Sequence, residues 1–271
     1  MDEKIKHQKY RAEVAYIGSA YKGFQFQKNG DSIQAQLERA LSILFRHPVT
    51  VRGASRTDSG VHAEKQVISF STPTSFIGSD WRYNLNAILP RDICIREISM
   101  ISDDFDPIND SIGKIYRYRI LRGLCTLPHL RDMVWSVNRE MDLKNIQSEA
   151  VHFLGTHDFT SFCSIDSDAR TKVREIFEIK VDVREPLVDV WICGRGFLKQ
   201  MVRIIVGTLV DVANKKIPVG SIPRILDAKQ RDLAGQTAPP QGLTLVEVLY
   251  DEIPNLENVI KEASRGYCLK I

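Results

Sequence analysis

The sequence predicts an α+β protein made of two β-α-β-β-α-β halves, the ferredoxin-like arrangement. Three observations carry this expectation. Short alternating apolar–polar runs are interleaved with amphipathic helical stretches, the same order of elements occurs twice, and a polar, proline-containing stretch from Ser102 to Gly113 separates the two copies. The halves are expected at 1–104 and 113–252, with a C-terminal tail at 253–271.

In the first half, residues 11–17 alternate and predict a strand. Asp31 and Gln34 have the spacing of a capping box, ahead of a helix running to about His47. Its apolar positions Ile33, Leu37, Leu41, Leu44 and Phe45 share one stripe. Val49–Arg52 and Gln66–Phe70 read as the next two strands. A helix from about Asp80 must stop before Pro90, and Cys94–Met100 closes the half as a strand.

The second half repeats this order. Lys114–Leu121 is a strand, and Asp142 starts a helix ending at Gly155. Strands at 172–183 and 187–194 follow, then a helix beginning near Gly196. A shorter helix follows Ser221, with Pro223 in its first turn and Gly235 after its end. The strand Leu243–Tyr250 completes the set. The helix from 196 is apolar over well over half its circumference, through Phe197, Leu198, Met201, Val202, Ile204, Ile205, Val206, Leu209 and Val212. Such a helix is buried on more than one side. Its remaining stripe, Lys199, Gln200, Arg203, Asp211 and Asn214, either faces water or lines a cleft, and Gly207 leaves space beside Arg203.

Composition limits the function classes. Of the 271 residues 43% are hydrophobic and 26% charged, as expected of a globular protein. The longest apolar stretch is far too short for a membrane span, and the N-terminal residues lack the apolar core of a signal peptide and read as a solvated tail. The five cysteines, Cys94, Cys125, Cys163, Cys193 and Cys268, are scattered and never form a C-x-x-C pair. This argues against a disulfide framework or a zinc site and fits a reducing, cytoplasmic setting. Lys270 spoils the C-terminal Cys268–Ile271 as a prenylation box. A formal charge of +3 permits a polyanionic partner without demanding one.

The segment Ser55-Arg-Thr-Asp-Ser-Gly-Val-His-Ala63 joins two strands. Read by spacing alone it is a turn, since Asp and Ser before Gly favour one. The stretch Arg56–Ala63, however, closely resembles the R-T-D-A-G-V-H-A loop of TruA-type tRNA pseudouridine synthases. Six further segments resemble that family in the same order: Tyr21-Lys-Gly-Phe-Gln25, Asn86-Ala-Ile-Leu-Pro90, Tyr116-Arg-Tyr-Arg119, His157-Asp-Phe-Thr-Ser-Phe162, Gly196–Gly207 and Thr237–Leu245. The resemblance spans about residues 10 to 250.

That resemblance implies a fold, a reaction and a set of site residues. The two halves would form a continuous antiparallel sheet with helices on one face and a central cleft. The protein would be a homodimer that uses no metal and no cofactor. It would isomerise uridines 38 to 40 in the anticodon arm of tRNA. Asp58 would be the catalytic carboxylate, since breaking the bond from uracil nitrogen to ribose calls for a nucleophile or a base. Arg203 would be its cationic partner, because an isolated carboxylate in a dry site is costly. Tyr116 would stack on the target base and help remove the last carbon-bound proton. Leu243 would lie beneath the base, and Arg56 would fill the space left by a flipped nucleotide. The packing alternative stands beside these roles: Tyr116, Tyr118 and Ile120 share one strand face, and a strand leucine is ordinarily core. His62 and His157 fit no ligand or triad pattern and read as structural.

The sequence departs from the family pattern at several points. Ser55 and Ser59 replace a glycine and an alanine, both small. Phe105-Asp-Pro-Ile-Asn109 stands where the family has F-H-A-R, and Asp166-Ser-Asp-Ala-Arg170 carries two acids in another stretch expected to touch tRNA. Both changes remove positive charge where RNA is expected. A rival reading is a non-catalytic RNA-binding protein with tandem halves of the RNA-recognition type, since Lys22–Phe26 echoes part of that motif. The echo falls after the first strand, not on the third, and a pure binder has no use for Asp58, Arg203 and Tyr116 together.

Overall fold

A computed structural model describes residues 7–28, 30–73, 80–123, 127–138 and 140–266. The N-terminal tail, Cys125 and the Cys268–Ile271 segment lie outside the described residues. The chain forms an α+β protein, as the pattern predicts, and divides into two compact units. One takes the described residues up to Ser111 together with Thr244–Val248; the other takes Ile112–Leu243 and those from Leu249 onward.

The first unit runs β1 (His7–Tyr16), α1 (Ile33–Phe45), β2 (Arg52–Gly53), β3 (His62–Pro73), α2 (Trp81–Ile88) and β4 (Ile93–Met100). Antiparallel pairing places β1 between β4 and β3, with β2 on the far side of β3, which is the ferredoxin-like order. The alternation in β1 buries Tyr10, Ala12, Val14 and Tyr16. Helix α1 buries Ile33, Leu37, Ala40, Leu41 and Phe45, the predicted stripe but for Leu44, which is half-buried. Phe45 packs edge-on to Trp81 at 4.8 Å, and Trp81 edge-on to Tyr10 at 4.7 Å, joining both helices to the sheet.

Two local expectations change here. The cap of α1 is Ser32, whose Oγ accepts from Ala35 N at 3.2 Å; Gln34 instead accepts from Phe26 N. The strand expected at Val49–Arg52 shrinks to Arg52–Gly53. The N–H groups of Val49 and Val51 donate to Ser42 Oγ and Glu38 Oε1 of α1, so they are not available to a sheet ladder. Asp80 caps α2 as expected, and Asn86 on α2 accepts from Ile95 N and donates to Ile95 O, tying that helix to β4.

The second unit runs β5 (Gly113–Arg122), β6 (Trp135–Val137), α3 (Leu143–Ala150), β7 (Gly155–Asp158), β8 (Val173–Arg184), β9 (Leu187–Gly194), α4 (Met201–Ala213) and α5 (Ile222–Ala228). Its sheet has the order β5-β9-β8-β7, all antiparallel, and β6 pairs parallel with β5. Asp189, buried on β9, accepts a two-point contact from its cross-strand partner Arg119 at 2.8 and 2.7 Å. Helix α4 is buried along nearly its whole length. It begins at Met201, not near Gly196, because Gln200 sits at φ 61, a left-handed conformation that no helix continues through.

The strand β10 (Leu243–Leu249) is shared between the units' residues, and Thr244 and Leu245 pair in parallel with His62 and Ala63 of β3. The stretch expected as a tail carries one more helix, α6 (Leu256–Gly266). It is held to β8 through Lys180–Glu257 at 2.6 Å and a bond from Leu256 N to Glu178. Among the described residues no helix is long and apolar enough to cross a membrane.

Candidate active site

The loop that carries Asp58 is fixed from three directions within the first unit. Gln66 brackets Ser55 with its amide, donating to Ser55 O at 2.7 Å and accepting from Ser55 N at 3.1 Å. The buried Thr57 shares a 2.8 Å hydrogen bond with Tyr16 Oη, and its carbonyl accepts from Phe24 N. Ser59 Oγ donates to Tyr21 O at 3.1 Å, so the serine that replaces the family alanine adds a tie. Tyr21 is itself anchored, its hydroxyl donating to Asp92 at 2.7 Å. Burial and then Asp92 push that hydroxyl well above the usual phenol range, so it remains a donor.

The turn itself is local. Val61 N donates to Asp58 O at 3.1 Å, and Gly60, in its third position, takes φ 81, which side-chain-bearing residues rarely adopt. The backbone packs closely against the 18–24 segment: a Cβ on Gly18 would fall 2.0 Å from Val61 O. Along the loop, Thr57 is buried, Asp58 half-buried, and Arg56 and Ser59 exposed. The framework thus holds the chain on either side of the half-buried Asp58. His62 accepts from Gly18 N through Nδ1 at 3.0 Å, a structural contact, and His157 contacts Leu154 O at 2.7 Å.

The second unit carries Tyr116, Arg203 and Leu243. Tyr116 is buried on β5 and meets the half-buried Phe197 edge-on at 5.1 Å. Tyr118, two residues along the same strand face, has a different job. Its hydroxyl donates to Pro239 O at 2.7 Å, and its ring packs so closely on Gly242 that a Cβ there would fall 2.7 Å away. Burial holds the Tyr118 hydroxyl far above the usual phenol range, with the nearby Arg203 charge pulling weakly the other way. Arg203 Nε donates to Ala238 O at 2.8 Å, and Arg203 O accepts from Ala238 N at 3.1 Å.

These contacts reveal what the polar stripe of α4 faces. Arg203, Gly207, Thr208 and Asp211 lie along one side of the helix, and the 234–242 segment runs against them. Gly235 N donates to Thr208 Oγ1, and Gln236 N and Nε2 donate to the two oxygens of Asp211. Gly207 is obligatory, since a Cβ would fall 1.8 Å from Gln236 O. Arg231 completes the clamp, donating to Ala234 O, Gly235 O and Thr237 Oγ1. The segment delivers the chain directly to Leu243, buried at the start of β10.

Two of the departures from the family pattern also have partners. Asp106 accepts from Ile108 N and Asn109 N and pairs with Arg52 at 2.7 Å. Although burial works against it, these contacts hold its carboxyl below the ordinary range. Asp166 pairs with Lys199 at 2.5 Å, and that ammonium, with the Ser164 hydroxyl, lowers its pKa. Both acids therefore neutralise cations of their own chain.

The sequence reading gives no site role to Gln66, Tyr118, Thr208 or Asp211, whose contacts described above reach 11 to 121 positions along the chain. Gly207 was the one visible sign of the 234–242 contact. A cavity of about 380 Å³ in the second unit is lined by Cys163, Lys172, Gln230 and Arg231 among others, and by none of the five sequence candidates. Among the described residues no group of three or more His, Cys, Asp or Glu side chains is placed to hold a metal ion.

Comparison with known proteins agrees with the motifs. A family model described as tRNA pseudouridine synthase matches residues 12–107 and 150–251. The tRNA pseudouridine synthase A of Acetivibrio thermocellus is 43% identical over 237 residues, covering 88% of this chain and 97% of the relative. That of Bacillus licheniformis is 39% identical, covering 89% and 98%. The tRNA pseudouridine synthase A 1 of Bacillus cereus is 40% identical with the same coverage.

Proposed function

The chain belongs to the tRNA pseudouridine synthase family, and from that premise we propose that Asp58 is the catalytic residue of its conversion of uridine to pseudouridine in tRNA. We further propose uridines 38 to 40 of the anticodon arm as its targets, a homodimeric enzyme and a cytoplasmic setting. The isomerisation breaks the bond between uracil nitrogen and the ribose, turns the base, forms a carbon–carbon link and releases the proton from that carbon. It is redox-neutral and adds no atom, so the proposal includes no cofactor.

The observation that carries the assignment is the framing of Asp58. Gln66, Tyr16 and Tyr21 hold the residues on both sides of it, and Asp58 itself is half-buried at the turn. A carboxylate that must meet a reacting atom at one place gains from such fixing, since catalysis depends on a pre-set geometry. In this reading Tyr116 places its ring on the base, with its hydroxyl near the final proton. Leu243 supports the base, Arg203 binds the substrate, and the exposed Arg56 fills the gap left by the flipped nucleotide.

The test is tritium release from tRNA labelled at uracil carbon 5. Asp58→Asn keeps size and turn preference. The proposal expects loss of release by several orders of magnitude, with tRNA binding nearly unchanged. Turnover of the variant within about tenfold of wild type would leave Asp58 as a turn residue only.

A further inference from the structure

Asp211 stands eight residues beyond Arg203 on α4, about 12 Å along the helix axis. It is 6% exposed and close to the helix C-terminus, where the macrodipole disfavours an acid. Both of its oxygens are engaged. Oδ2 accepts from Gln236 N at 3.1 Å, and Oδ1 accepts from Gln236 Nε2 and from Lys216 Nζ, both at 2.9 Å. The same backbone segment is held at its next positions by Arg203, through Ala238 N and O, and then by Tyr118, through Pro239 O. It ends at Leu243.

We infer that Asp211 is a positioning residue for the reaction: by gripping Gln236 it sets the register of the 234–242 segment along α4, and through that segment the direction of the Arg203 guanidinium and the entry of Leu243. The inference rests on the substrate-binding roles proposed above for Arg203 and Leu243. The geometry favours a register function because Asp211 grips both the main chain and the side chain of one residue. The obligatory contact of Gly207 with Gln236 O then leaves that residue no room to slide. Arg203 lies two positions further along the same contact. Its Nε is committed to Ala238 O, so a displaced segment turns the guanidinium with it.

The experiment exchanges donor and acceptor across the grip. Asp211→Asn puts an NH₂ group in place of one acceptor oxygen: at Oδ2 it loses Gln236 N, and at Oδ1 it loses Lys216 Nζ even where the Gln236 amide turns to accept from it. Gln236→Glu, at an exposed residue, sets carboxylate against carboxylate. Combining Asp211→Asn with Gln236→Glu restores a complementary pair. Each single variant is expected to lower kcat about tenfold to a hundredfold, the scale of a misplacement of about 1 Å, with KM for tRNA within twofold. The double variant is expected to recover most of kcat. A kcat within twofold of wild type in the single variants, or a double variant no better than either single one, would overturn the inference. Arg203→Lys is measured alongside. If it retains full activity, the substrate-binding reading of Arg203 falls and the inference with it. If it is inactive while Asp211→Asn is unaffected, the inference alone falls.

Discussion

Replacing Tyr118 by Phe removes one hydroxyl and nothing else. The ring still backs Gly242, but the 2.7 Å bond to Pro239 O is lost. Pro239 is half-buried, so water can take the vacated place, and the cost stays near the net worth of one hydrogen bond, about 1 kcal/mol. For a chain of this size that corresponds to a Tm lower by roughly 2–4 °C. The pH dependence is more specific. Burial keeps the folded-state hydroxyl protonated well above the usual phenol range, whereas in the unfolded chain it ionises near pH 10, approximately. Above that pH the native state holds the extra proton, so stability falls as pH rises, by up to about 1.4 kcal/mol per pH unit from this group. The variant has no such group. Its deficit should be complete at pH 8, shrink above pH ~10 and reverse within about one further unit. Tyr21 is raised in the same direction but is present in both proteins and cancels. Urea unfolding of both proteins from pH 8 to 11 measures the gap. A gap absent at pH 8 would show that the Pro239 bond adds no stability, and a gap constant throughout that the folded state does not hold the hydroxyl protonated.

Three further outcomes rest on the geometry. Gly207→Ala gains helix propensity, yet its Cβ would fall 1.8 Å from Gln236 O, so thermal unfolding should show a net loss of about 1–2 kcal/mol where propensity alone predicts a gain. Tyr116→Phe keeps the contact with Phe197 and should bind tRNA normally but turn over poorly; equal rates of tritium release would leave stacking as its only role. Asp166→Lys with Asp168→Lys releases Lys199 from its partner as well as adding cations, so tRNA affinity measured across a salt series should rise and its slope steepen by roughly 0.9 for each new phosphate contact; identical slopes would place this loop away from the RNA.

The elements legible in the sequence are those with local causes. The stripe of α1, the Asp80 cap, the alternation of β1 and the glycine of the Asp58 turn all rest on residues a few positions apart. What escaped reading depends on distant partners. Val49 and Val51 have a strand's composition, but α1 captures their N–H groups through Ser42 and Glu38. Gln200 has nothing in its side chain to announce a left-handed backbone, so α4 reads as starting too early. The polar stripe of α4 was open between water and a cleft. Its partner on the described contacts is a backbone segment some 25 to 35 residues later, which periodicity cannot reveal. Helix α6 has a helical pattern of its own over 11 residues, but its hold on β8 comes from Lys180 and Glu178, about 77 positions away. In the candidate site, the motifs named Asp58, Tyr116, Arg203 and Leu243 through resemblance, whereas the framework roles of Gln66, Tyr118 and Asp211 emerge only from their contacts.

If this chain makes pseudouridine in tRNA through Asp58, the tRNA of the cell records it. Pseudouridine is mapped at single-nucleotide resolution in total tRNA from cells lacking the protein and from the same cells supplied with wild type or Asp58→Asn. The expected result is that pseudouridine at positions 38 to 40 disappears in the deletion, returns with wild type, and stays absent with an Asp58→Asn variant present at wild-type level. Pseudouridine at those positions in the deletion strain would mean that another enzyme makes it, and its return with the variant that Asp58 is not the catalytic residue.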